Sequence, residues 1–223
     1  MWGRQRGEKT AGLRDAIRDQ VRESDALHVA LGIAFDRYTE VRTAIEAMLD
    51  RGDGLPAKPE RDFFARRGDM WDAFTHASAQ YAEGRRHFTE AGLEAEDDPK
   101  VLADVLKAQA SLIRTCERTL KNLKDLVSRI EKRHRRLLEL RTTLEPIRAR
   151  VHTGLAATTR DLAWAPVTPG RFALEARLNA AADDLRELDA GIVTFLPAMI
   201  IPSRYRDIEE EIAKVRDEVL RLG

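Results

Sequence analysis

PKVLADVLKAQASLIRTCERTLKNLKDLVSRIEKRHRRLLELRTTLEPIRARV, residues 99–151, is the stretch whose periodicity decides the fold. Leu106, Ile113, Leu120 and Val127 recur every seven residues. Leu102, Cys116, Leu123, Ile130, Leu137 and Leu144 fill the interleaved register, with Gln109 as the polar exception. A further row at Val105, Leu112, Leu126, Leu140 and Ile147 widens the stripe. Three apolar positions per heptad make a bundle face, broader than the narrow seam of a two-stranded coil. Asp98 before Pro99 supplies a capping carboxylate followed by proline at the first helical position. Pro146 is expected to kink the helix, because Ile147 and Val151 continue the pattern, and Gly154 is the expected weak point. A helix over 99–153 would be roughly 80 Å long at about 1.5 Å per residue, which implies an elongated protein.

The flanking sequence repeats the helical grammar. Residues 1–9 read as a flexible tail. From about Thr10 to Leu49, Ile17, Val21, Leu27, Leu31, Phe35, Tyr38, Val41, Ile45 and Met48 share one face. Gly52, Gly54, Pro56 and Pro59 mark a linker near 50–59. A less regular helix is expected over 60–91, with Phe64, Trp71, Phe74, Tyr81 and Phe88 as its stripe and Gly68 and Gly84 weakening it. An acidic loop fills 92–98. A linker at 164–170 precedes Leu174, Leu178, Ala181, Leu185, Leu188, Ile192 and Phe195, and a second break at 197–202 precedes a last helix capped by Ser203. The expectation is an all-α fold. A single elongated antiparallel bundle of four to five long amphipathic helices, packed as in coiled coils, should cover 10–223.

Composition agrees. Hydrophobic residues at 43% allow a core, and charged residues at 34% suit helices with broad solvated faces. Aromatics at 6% disfavour an all-β chain. The formal net charge is zero, so a global basic field for nucleic acid is missing and nucleic acid is not an expected partner. One cysteine, Cys116, precludes an internal disulfide and fits a reducing cytoplasm. The Ala, Arg, Asp, Glu and Leu bias gives a bacterial impression. No secretory signal follows Met1, and the longest uncharged run, 191–201, is too short to span a bilayer.

No catalytic motif is present: there is no nucleophile elbow, P-loop, dinucleotide fingerprint or zinc-protease helix. Arg51-Gly52-Asp53 and Arg67-Gly68-Asp69 spell an adhesion-like tripeptide by chance in an arginine-rich chain. Asp25 with His28 and Glu131 with His134 have the spacing that di-metal carboxylate bundles place on facing helices. Against a metal site stand Asp in place of Glu at position 25, the cations around His134, and the want of inward Glu residues elsewhere. No cofactor is expected.

Charge is unevenly placed. Arg129, Lys132, Arg133, Arg135 and Arg136 form the densest part of a basic row on the third helix, and the C-terminal third is acidic. Pairing of that row with acidic neighbours is the favoured reading. A surface for phosphates of lipid is the sharper one. The uncharged segment holding Ile192, Phe195, Leu196, Met199, Ile200 and Ile201 is a candidate interaction surface. Together these features point to a non-enzymatic helical scaffold or adaptor acting through protein–protein contacts as a homodimer. Long proline-kinked helices in a chain of this size also resemble the architecture of crescent-shaped membrane-curving (BAR-like) dimers, without a shared motif. That resemblance implies a peripheral protein at the inner membrane face, held to anionic lipid by the basic row.

Overall fold

The computed structural model describes residues 2–66, 68–86, 88–191 and 200–222, with side chains from Gly7 onward, Asp69 excepted. Of the described residues 89% are helical, in an all-α bundle in which long helices pack against one another. Among the described residues there are seven helices and no strand: α1 (Trp2–Leu49), α2 (Ala57–Ala65), α3 (Asp69–Arg86), α4 (Glu90–Ala95), α5 (Pro99–Trp164), α6 (Pro169–Asp189) and α7 (Ile201–Leu220).

The heptad stretch forms one helix of 66 residues that carries Pro146 inside it. Helix α5 also runs past Gly154. Thr158 returns its hydroxyl to the Gly154 carbonyl at 2.9 Å, and Ile212 of α7 packs beside Gly154. Asp98 caps as expected, its Oδ1 accepting from Lys100 N at 2.9 Å. The backbone is helical from Trp2, eight residues before the expected start.

The expected helix over 60–91 is instead three short ones. Gly68 falls in the break between α2 and α3. Thr89 starts α4 by accepting from Gly92 N, so Gly92 lies within α4 instead of ending a helix. Pro59 sits in the first turn of α2, where its missing N–H has no partner to lose. Ser203 does not cap α7. The cap position is Ile200, and Ser203 donates to the Ile200 carbonyl.

The chain divides into two compact units: unit 1 is 1–42 with 66–131, and unit 2 is 43–65 with 132–223. In unit 1, α1 goes out, α3 returns antiparallel to it, and the first half of α5 goes out again. Ile17, Val21, Leu93 and Leu102 form a core where α1, α4 and α5 meet. Phe35 stacks on Phe74 at 4.1 Å between centroids and tilts against Trp71. Arg14 donates to the Leu93 and Glu96 carbonyls and pairs with Asp97, while Arg18 clasps Glu90 and Glu94.

In unit 2 the end of α5, α6 and α7 make a second up-down-up arrangement, with buried Leu174, Leu178, Leu185, Ile208, Ile212 and Val215 between them. Gly52 and Gly54, at φ 67° and 72°, turn the chain after α1.

Candidate interaction surface

Of the basic row, Arg133 is committed inside unit 2. Its Nη1 reaches both oxygens of Glu60 at 2.8 and 2.9 Å, and its guanidinium lies 4.0 Å from the Phe63 ring centroid. Glu60 is buried, so this pair holds α2 against α5 and is not a free cation. Arg129, Lys132, Arg135 and Arg136 are exposed and make no hydrogen bond or ion pair among the described residues.

The expected pairing with the acidic C-terminal third occurs further along α5. Arg150 meets Glu209 at 2.9 Å and Arg148 meets Asp189 at 2.7 Å, while Arg177 takes Glu211 and Glu218. Pairing with the acidic C-terminal third therefore reaches α5 at Arg148 and Arg150.

Asp189 is the densest polar centre of unit 2. Its side chain accepts from Arg148 Nε and Tyr205 Oη, each at 2.7 Å, and lies 2.7 Å from His152 Nε2. Arg148 also donates to the Gly52 carbonyl at 2.9 Å. Arg141 Nε stands 3.0 Å from Asp53 Oδ2, a close ion contact outside hydrogen-bond geometry. Burial alone would raise the Asp189 carboxyl. The hydrogen bonds from Arg148 and Tyr205, the Arg148 charge and the His152 contact outweigh it and hold the group below the ordinary carboxylate value. Burial, then the Asp189 contact, pushes the Tyr205 phenol up. Arg148 and Arg141 tie the 50–56 turn to α5, and Gly54 N donates to the Asp189 carbonyl at 3.1 Å, while the Asp189 side chain joins α5 and α7 to α6. Arg51-Gly52-Asp53 thus belongs to an internal clamp.

Three of the four residues considered for metal, Asp25, His28 and Glu131, are engaged in other ways. Asp25 accepts from Tyr81 Oη at 2.9 Å and meets Arg85 at 3.3 Å. His28 stacks on the Tyr81 ring at 3.9 Å, and Glu131 pairs with Arg37 at 2.8 Å. Among the described residues no group of three or more His, Cys, Asp or Glu is placed to hold a metal ion. Cys116 is buried in unit 1, which pushes its thiol up and away from the reactive thiolate.

Of the uncharged segment, Ile192, Phe195, Leu196 and Met199 lie outside the described residues. Ile201, the first residue of α7, is buried, and Ile200 is partly exposed. It is elsewhere that apolar side chains face solvent. In unit 2, Trp164 (86% exposed), Val167, Phe172 and Leu220 stand open around the α5–α6 connection and the end of α7. The sequence pattern read 164–170 only as a linker, yet Trp164 and Val167 in so polar a chain were the available signal. In unit 1, Val29 and Ile33 on α1 are 61% and 66% exposed. Beside them a groove of about 390 Å³ runs between α1 and α5, floored by Ala30, Ala34 and Val127 and edged by Lys124 and Ser128. The Arg37–Glu131 ion pair closes one end.

Comparison with known protein families, curated proteins and solved structures finds no match. No described helix is long and apolar enough to cross a membrane.

Proposed function

We propose that this chain is a non-enzymatic scaffold or adaptor, working in the cytoplasm through protein–protein contacts as a homodimer. One observation carries the reading: large apolar side chains stand uncovered on regular helices in both units, Val29 and Ile33 in one, Trp164 and Phe172 in the other. Side chains of this kind, held on a rigid backbone and flanked by polar residues, are what interface cores are made of. Sedimentation equilibrium of the full chain at micromolar concentration should give about twice the chain mass of 25.2 kDa. A monomer under those conditions removes the dimer and with it the main support.

The unpaired cations Arg129, Lys132, Arg135 and Arg136 favour a second reading, a peripheral protein on anionic membrane. Each basic residue near such a surface contributes about 1 kcal/mol. Co-sedimentation with anionic but not neutral vesicles, lost on changing these four to Glu, would put that reading first.

A further inference from the structure

We infer that the exposed face of α1 between Arg22 and Glu40 is the contact between two copies of this chain, with the two α1 helices crossing antiparallel about a two-fold axis at the level of residue 31. The inference rests on the homodimer reading above and names its surface.

Arg22, Ala26, Val29, Ile33, Asp36 and Glu40 follow one another at spacings of four, three, four, three and four, so they line one face of a single helix. All lie in unit 1. All six are exposed without being needed for the core, whose own stripe on α1 runs through Ile17, Val21, Leu31, Phe35 and Tyr38. Helix α3 covers a different side of α1, through His28, Phe35 and Asp25.

The row is self-complementary. A two-fold axis at residue 31 sets Val29 against Ile33 of the second copy and, by symmetry, Ile33 against its Val29. It sets Arg22 against Glu40 of the second copy, twice. Asp36 falls against Ala26, where a small residue leaves the carboxylate access to water. An isologous interface requires this matching of a surface with itself. Residues 26–35 carry no charge, and Ala26, Ala30 and Gly32 keep the surface low enough for two helices to approach closely. The groove floored by Ala30, Ala34 and Val127 gives the opposing valine a concavity to enter.

The charges at both ends are available. Arg22 is largely exposed, and its partner Asp19 is 3.5 Å away. Glu40 is largely exposed and holds Arg37 through Oε2 at 2.8 Å.

Sedimentation equilibrium of the full chain from about 1 to 100 µM tests this. Ile33→Asp should weaken the dimer at least about tenfold, as loss of a central apolar anchor does. Arg22→Glu and Glu40→Arg should each weaken it, and the double variant Arg22→Glu/Glu40→Arg should restore wild-type association. Far-UV circular dichroism confirms folding, and Val29→Asp repeats the test should Ile33→Asp fail to fold. A wild-type dimer unmoved by Ile33→Asp overturns this surface and leaves the homodimer reading standing. A double variant as weak as the singles overturns the antiparallel pairing. A wild-type monomer throughout overturns the surface and the homodimer together.

Discussion

In unit 1 the returning helix is tied to α1 by rings: Phe35 on Phe74 and Trp71, and His28 on Tyr81, with charged clasps from Arg14 and Arg18 at the rim. In unit 2 the helices and the turn between α1 and α2 converge on carboxylates: Asp189 with Arg148, Tyr205 and His152, and Glu60 with Arg133. Both units use the same heptad core, yet the chemistry that joins their elements differs. Ring stacking tolerates loss by degrees, because each contact contributes a small share. A partly buried carboxylate with several donors does not, because its removal strands the groups that pointed at it.

The comparison can be broken at Asp189. Asp189→Ala leaves Tyr205 Oη and Arg148 Nε without their acceptor and should cost about 3 kcal/mol in urea unfolding. Hydrogen exchange should place the loss in unit 2, and a cost under about 1 kcal/mol would show that apolar packing alone holds that unit. Gly191→Ala comes next, at about 2 kcal/mol. Gly191 sits at φ 65°, and a Cβ there would collide with the Leu55 carbonyl. Its melting temperature should fall accordingly. In unit 1, Tyr81→Leu removes the stack on His28 and the bond to Asp25, and should cost about 1 kcal/mol by the same urea assay.

Acid sharpens the contrast further. The folded Asp189 carboxyl lies below its unfolded value, so its contribution is present above about pH 4 and fades as pH falls through the folded value. Unit 2 should loosen first on acidification, and Asp189→Asn should flatten that part of the stability profile. Arg18→Ala should give the smallest effect, a slight change in the salt dependence of melting, since its clasps are solvent-screened.

The long helices were legible because their burial demands a period, and the period is written in α1, α5, α6 and α7. The stretch 57–95 was not, since its breaks depend on Thr89 capping and on Gly68 falling between α2 and α3. The basic row was visible, but not that Glu60 claims Arg133, because a contact 73 residues apart leaves no local trace. Val29 and Ile33 fall outside the α1 stripe, and an apolar residue in a helical window carries no mark of whether a neighbour covers it. Trp164 was hidden by the prolines after it, which dominated the reading of that segment as a connection.

The uncovered cations of α5 have a practical corollary. Arg129, Lys132, Arg135 and Arg136 are each a trypsin recognition site on an exposed face, and only the folded helix keeps the backbone beside them from entering a protease cleft. Cutting there therefore requires local fraying, so the rate of tryptic nicking between residues 129 and 136 becomes a direct gauge of how often that stretch of α5 opens. Any ligand that settles on the row should register as slower digestion before its identity is known.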